Sequence, residues 1–187
     1  MAGEATIGLE SQTPLTRAAK RLASAQGMDE IVAVLRSEAR QVAGSDGIAV
    51  ILREGDLCHY VAEDAIEPLW KGRRFPLDQC VSGWAILHRA SAVIPDLEAD
   101  LRVPREAYTN TSMRSLAMAP IGLPEPLGAL GAYWCAYMDL DDATIRRLEI
   151  LAEVAGAAMR RILGTVDRDG EAAGQGRVTG PALTADA

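Results

Sequence analysis

From Pro14 to Val42 apolar residues return at helical spacing, first Leu15, Ala18, Ala19 and Leu22, then Met28, Ile31, Leu35, Ala39 and Val42. Gly27 divides this run into two helices. The second carries Asp29 and Glu30 in its first turn, where they favour the positive end of the helix dipole, and Gly44 just past its end. Beyond Gly44 the period drops to two. Ile48 to Glu54 and Leu57 to Glu63, joined at Gly55-Asp56, predict an antiparallel hairpin. Ile48, Val50 and Leu52 then face one side and Ala49 and Ile51 the other, so a sheet covered on both faces is expected.

Glu67 to Gln79 shows no clean period. A helix is expected from near Asp78, with Val81, Ala85 and His88 along one stripe and Trp84 beside it, and Ser91 to Pro95 predicts a third strand. Asp96 to Thr111 is a long polar crossover with a helical turn around Arg105 to Tyr108. Leu116 to Met138 carries Glu125 as its single charge and is apolar enough to suggest a membrane span, but Pro120, Pro124 and Pro126 would each break a helix there. Strands at Ser115 to Ile121 and Leu127 to Met138 around a Gly-Leu-Pro-Glu-Pro turn use the same residues without that cost.

Asp139, Asp141 and Asp142 are candidate N-caps for a last helix reaching about Leu163. Its seam is Ile145, Leu148, Ala152, Ala155, Met159 and Ile162; Ile150, Leu151, Val154 and Ala157 widen it beyond one sheet contact, so a second helical partner is implied. Residues 1–13 read as a flexible start, 14–163 as one domain, and 164–187, rich in Gly, Ala and polar residues, as a disordered tail.

With 187 residues, 49% of them hydrophobic, the chain supports a single substantial core. At 4% aromatic, that core is mainly aliphatic, which suits helices lying close on a sheet. The net charge of -7 argues against a nucleic-acid surface. Lys71, Arg73 and Arg74 form a local basic exception that reads as a solvated turn. Cys58, Cys80 and Cys135 form no C-x-x-C pair, so neither a disulfide framework nor a zinc site is expected, and a reducing cytoplasm is the simplest home. The N-terminus has no basic start followed by an apolar run, so neither export nor a membrane partner is expected. His59 and His88 supply too few ligands for a metal site.

The order of elements, together with "LDQCVSGWAILHRASAVIPDLEADLRV", "SLAMAPI" and "LDDATIRRLEILAEVAGAAMRRI", resembles the GAF domain over roughly Met28 to Leu163. The resemblance is to the PAS-like sensory domains attached to bacterial sensor histidine kinases, as parts of two-component systems, although no kinase segment is present. It implies an α+β fold, a central antiparallel sheet with N- and C-terminal helices on one face and the crossover helix and loops on the other. It also implies a cytoplasmic signal-transduction domain without catalytic activity, sensing a small molecule whose identity and cofactor class stay unnamed. A homodimer through the terminal helices and a signalling partner such as a histidine kinase are expected. The signature of cyclic-nucleotide-binding relatives is missing, and Asp96 to Pro120 has no cysteine or histidine for covalent bilin attachment.

Candidate ligand contacts are Asp96, Asp100, Arg102 and Tyr108 from the crossover, with Trp70, Phe75, Trp84 and Trp134 as apolar walls. Each has a plainer reading: Asp96 capping a turn, Arg102 pairing with Asp100, the aromatics filling core. Cys80, also placed in the pocket, sits near a helix N-terminus, where the dipole stabilises a thiolate. Free-methionine sulfoxide reductases resemble GAF domains and use cysteines, so a thiol enzyme or redox sensor is a second reading. It needs a resolving thiol, and the distances from Cys80 to Cys58 and Cys135 are not set by the sequence. A third reading is a ligand-free dimerisation module whose pocket is filled by its own side chains.

Overall fold

The computed structural model describes residues 12–175, with side chains as far as 164. The flexible start and disordered tail expected from the sequence fall, at 1–11 and 176–187, outside the described residues.

Helix α1 (Pro14–Ser24) begins with Pro14 in its first turn and Thr13 as N-cap, whose hydroxyl accepts the Thr16 N–H at 3.2 Å. Helix α2 (Met28–Ala43) ends where Gly44 takes φ 64° and returns its N–H to the Arg40 carbonyl. The two are clamped by Glu38, buried on α2, which accepts from Arg17 at 2.9 Å and Arg21 at 2.7 Å. Strands β1 (Gly47–Glu54) and β2 (Leu57–Ala65) form the first hairpin. The positive φ of 60° at Gly55, with Asp56 on the ordinary side, is the pattern of a II′ turn. Then come β3 (Arg74–Pro76), a single 3-10 turn (Leu77–Gln79), α3 (Val81–His88), β4 (Ala92–Ile94), α4 (Arg105–Tyr108), β5 (Ser115–Ile121), β6 (Gly128–Trp134) and α5 (Asp142–Gln175).

The six strands pair antiparallel in the order β3-β2-β1-β6-β5-β4. Helices α1, α2 and α5 cover one face, and α3 with the crossover covers the other. This is the α+β GAF-like architecture expected. Ile48 and Val50 lie in the helix-side core and Ala49 and Ile51 in the crossover-side core, as the period-two pattern requires. A bulge shifts the register between Val50 and Ile51, opposite Val61, so β2 changes parity there. Cys58 and Tyr60 before it belong to the crossover side, and Ala62 after it to the helix side.

Two expectations are corrected. The aperiodic stretch from Glu67 to Gln79 contains the edge strand β3, too short to show alternation. Its approach is held by one carboxylate: Glu63 accepts the N–H groups of Leu69, Trp70 and Lys71 at 3.1, 2.9 and 2.8 Å. Helix α5 does not stop near Leu163 but continues to Gln175, so 164–175 is helical rather than disordered. The second partner implied for α5 is found in the same chain. Leu148, Leu151, Ala152, Ala155, Ala158 and Met159 are buried in the layer that α5 forms with α1, α2 and β5. Asp141 is the cap that starts it, accepting the Thr144 N–H at 2.6 Å.

Candidate functional site

The β2–β3 register places Cys58 opposite Phe75 and Leu57 opposite Pro76. From Pro76 the chain makes its 3-10 turn, tied back by the Leu77 N–H on the Asp56 carbonyl at 3.0 Å, and returns over β2. This return sets Cys80 at the N-cap of α3 and against Cys58. The turn and the helix pass so close that a Cβ on Gly83 would lie 1.9 Å from the Leu77 carbonyl oxygen, so the position accepts only glycine.

A string of polar side chains runs through this otherwise apolar layer. The Cys80 sulfur accepts the Gly83 N–H at 3.4 Å and lies 3.2 Å from the Ser82 hydroxyl, which is itself 3.0 Å from the Tyr60 hydroxyl. In its protonated form the Cys80 thiol donates to the Pro76 carbonyl at 3.4 Å. The hydrogen bond with Cys58 is the main cause that pulls the Cys80 pKa down, to about 6; Ser82 and the Gly83 N–H assist, and burial opposes. The same hydrogen bond, followed by burial, pushes Cys58 up. Within the pair the thiolate therefore resides on Cys80 and the proton stays with Cys58.

Above the thiols the rings interlock. Tyr60 meets Trp70 and Phe75 edge-on at 5.8 and 5.4 Å, and Trp70 meets Tyr108 at 4.8 Å and Tyr133 at 5.5 Å. The Trp70 ring N–H donates to the Ala107 carbonyl at 3.2 Å, tying the cluster to the crossover. The space left between Tyr60, Trp70, Phe75, Cys80 and Tyr108 is about 10 Å³, so side chains fill the cavity. The Tyr133 hydroxyl is fully buried and, among the described residues, has no hydrogen-bond partner of good geometry. Tyr108 lies close enough to influence its ionisation, but burial dominates and pushes Tyr60, Tyr108 and Tyr133 all upward.

Of the residues expected from the sequence, the structure brings Trp70, Phe75, Cys80 and Tyr108 together. Trp84 lies apart on the outer side of α3, stacked on His88 at 4.4 Å and covered by the Arg102 guanidinium at 4.8 Å. The plainer readings describe the three charged candidates. Arg102 binds Asp100 through two bonds of 2.9 and 2.5 Å and reaches the Val93 carbonyl at 3.3 Å, while Asp96 accepts the Glu98 N–H at 2.9 Å. The Arg102 guanidinium holds the Asp100 carboxyl below its ordinary range. These groups shape the crossover. Trp134 is corrected outright: it packs in the helix-side core and donates to the Gly44 carbonyl at 3.0 Å. The basic turn is engaged too, with Arg74 on Glu54 at 2.8 Å.

Sequence reasoning missed Tyr60, Ser82 and Tyr133. Tyr60 had a signal, since two residues along a strand from Cys58 it shares that face. Outside the cluster, a groove of about 580 Å³ is lined by Asp78, Cys80, Trp84, His88 and Arg102, so Cys80 borders both the groove and the interior. Among the described residues no cluster of ligating side chains could hold a metal ion, and no helix is long and apolar enough to cross a membrane.

No curated protein matches the sequence significantly. Among solved structures, the chain is similar to the GAF domain of a phosphoenolpyruvate-protein phosphotransferase from Acinetobacter, with TM-score 0.70, 12% identity, and coverage of 82% of this chain and 95% of that one. It is similar to free methionine-R-sulfoxide reductase from Neisseria meningitidis, in complex with its substrate, with TM-score 0.68, 18% identity, and coverage of 87% and 99%. It is also similar to the chromophore-binding domain of a bacteriophytochrome from R. palustris, with TM-score 0.68, 18% identity, and coverage of 84% of this chain and 64% of that one. At these identities the likeness is one of fold. The sequence model of the GAF domain matches residues 25–160, most of the chain, and with the six-stranded sheet and its two coverings this places the protein in the GAF domain family, a sensory fold.

Proposed function

We propose that this GAF domain senses a small, largely apolar molecule with a hydrogen-bonding group, held under the crossover against Tyr60, Trp70, Tyr108 and Tyr133. The observation that carries this reading is the Tyr133 hydroxyl, buried among aromatic rings and, among the described residues, without a hydrogen-bond partner. A purely structural core has no use for such an atom, because leaving it unpaired costs about 1–3 kcal/mol. A ligand that displaces Tyr108 and Trp70 outward would supply the missing partner, and the small cavity then represents the closed form.

Strand β6 offers the route for the signal. Tyr133 faces the aromatic cluster and its neighbour Trp134 faces α2, bonded to the carbonyl of that helix's cap. A shift of β6 on ligand entry is felt directly by the terminal helices. Helix α5, which runs on to Gln175, is the element suited to pass it on to a second copy or to a signalling partner such as a histidine kinase. Most of its apolar seam is already used within the chain, so a homodimer would draw on the remaining rim, where Leu163 is 41% exposed.

Native mass spectrometry of the purified protein tests the reading. A retained small molecule, lost from Tyr133→Phe and retained by Trp134→Phe, is the expected result. A protein that carries nothing and shows no thermal shift with any small aromatic or heterocyclic compound would instead support the ligand-free dimerisation module. Light scattering at micromolar concentration reports the oligomeric state separately.

A further inference from the structure

We propose that Cys58 and Cys80 form a redox-active dithiol, oxidised to an intramolecular disulfide by small hydroperoxides that reach Cys80 from the outer groove. Two features of the geometry meet here. The fold returns Cys80 over β2 into the same buried layer as Cys58, and the Ser82 hydroxyl, 3.2 Å from the Cys80 sulfur, bonds at 3.0 Å the Tyr60 hydroxyl, which shares the Cys58 face of β2. Cys80, only 7% exposed, nonetheless lines the groove that opens between α3 and the crossover, whereas Cys58 lies wholly behind it at 0%. The accessible sulfur is thus the one positioned as nucleophile, and the buried one is positioned to resolve.

The polarisation of the pair agrees with that division, since Cys80 carries the thiolate and Cys58 keeps its proton. The Cys80 thiolate attacks the terminal oxygen of a hydroperoxide ROOH. The O–O bond breaks as the S–O bond forms, Cys80 becomes a sulfenic acid, and the alkoxide takes a proton from solvent to leave as ROH. The Cys58 sulfur then attacks the Cys80 sulfur, losing its proton to the departing hydroxide, so that the S–O bond breaks, the S–S bond forms and water leaves. In sum two thiols and ROOH give a disulfide, ROH and water, the thiols losing two electrons and the peroxide gaining them. A dithiol reductant reverses the reaction by exchange.

Bond formation draws the Cys80 sulfur away from the Gly83 N–H that it caps, so oxidation loosens the first turn of α3. Cys135 is placed for no such chemistry: it is half-buried beside Met113, 3.9 Å from that sulfur, and burial raises its pKa.

The reduced full chain, treated with stoichiometric hydrogen peroxide and mapped by mass spectrometry, is expected to lose the mass of two hydrogen atoms and yield a peptide linking Cys58 to Cys80. Cys80→Ser is expected to slow peroxide consumption about tenfold or more, since no other thiol is activated. Cys58→Ser is expected to leave a sulfenic acid on Cys80 that dimedone traps, and Cys135→Ser to behave as the parent. Mapping of the parent needs no variant, and circular dichroism of each variant separates lost folding from lost chemistry. Three thiols still titratable after treatment, or a linkage through Cys135, would overturn the proposal. The ligand experiment above is independent of thiol state, so either idea survives failure of the other.

Discussion

The two faces of the sheet are built by the same strands and are chemically unlike. On the helix side Ile48, Val50, Leu130, Leu35 and Leu151 close a layer of hydrocarbon, with the Trp134 ring N–H satisfied by a backbone carbonyl. On the crossover side the strands instead present Cys58, Tyr60 and Tyr133, against Trp70, Cys80 and Tyr108, and the Tyr133 hydroxyl has no hydrogen-bond partner among the described residues. Burial is as complete on both sides, so burial alone does not tell scaffold from site. What separates them is the presence of polar atoms where packing asks for none.

Truncation gives the sharpest contrast. Leu35→Ala, at a fully buried position on α2, is expected to lower stability by about 2–5 kcal/mol in urea unfolding, through lost transfer energy and a cavity that a packed layer cannot close. Tyr133→Phe, equally buried on the opposite face, is expected to raise stability by about 1–3 kcal/mol in the same assay, because an unpaired hydroxyl is removed and the ring kept. A destabilised Tyr133→Phe would erase the distinction between the faces.

The smallest effect is a pH dependence. Because Cys80 is held down at about 6, below the ordinary thiol value of 9.0, its contribution to stability is fully present above 9 and is lost as pH falls through 6. The groups facing it are Cys58 and Tyr60 on β2, Ser82 on α3, Asp78 on the 3-10 turn and Tyr108 on α4; Cys58 and Ser82 pull its pKa down and Asp78 pushes it up, while Cys80 in turn raises Tyr60 and Tyr108. Iodoacetamide labelling of Cys80 in the folded protein is therefore expected to rise with a midpoint near 6. In Cys58→Ser the midpoint is expected to move upward; an unmoved midpoint would detach Cys58 from the activation of Cys80.

The fold was largely legible where a local rule suffices. Gly44 ends α2, Gly55-Asp56 turns the first hairpin, and Arg105 to Tyr108 form the helical turn expected in the crossover. Strand β3 escaped because three residues carry no period and exist as a strand only by pairing with β2. The bulge opposite Val61 escaped because a parity change in β2 is visible only against the register of β1. Helix α5 passed its expected end at Leu163 because loss of apolar residues marks the end of a contact and not, by itself, the end of a helix.

The site was legible in part for a related reason. Trp70, Phe75, Cys80 and Tyr108 follow from segment and residue type, but Asp96, Asp100 and Arg102 satisfy one another within the crossover, as their spacing of a few residues permits. By itself the sequence determined most of the elements, their order and the two-sided burial of the sheet, because helix and strand periods and turn chemistry act over a few residues, and its motifs carried the resemblance to the GAF domain. Only the tertiary structure decided that Cys80 meets Cys58, that Tyr133 faces Tyr108 and that Trp134 turns away from both. Those pairings join distant segments, and they are set by strand register and by a turn that passes Gly83 at a distance no side chain allows.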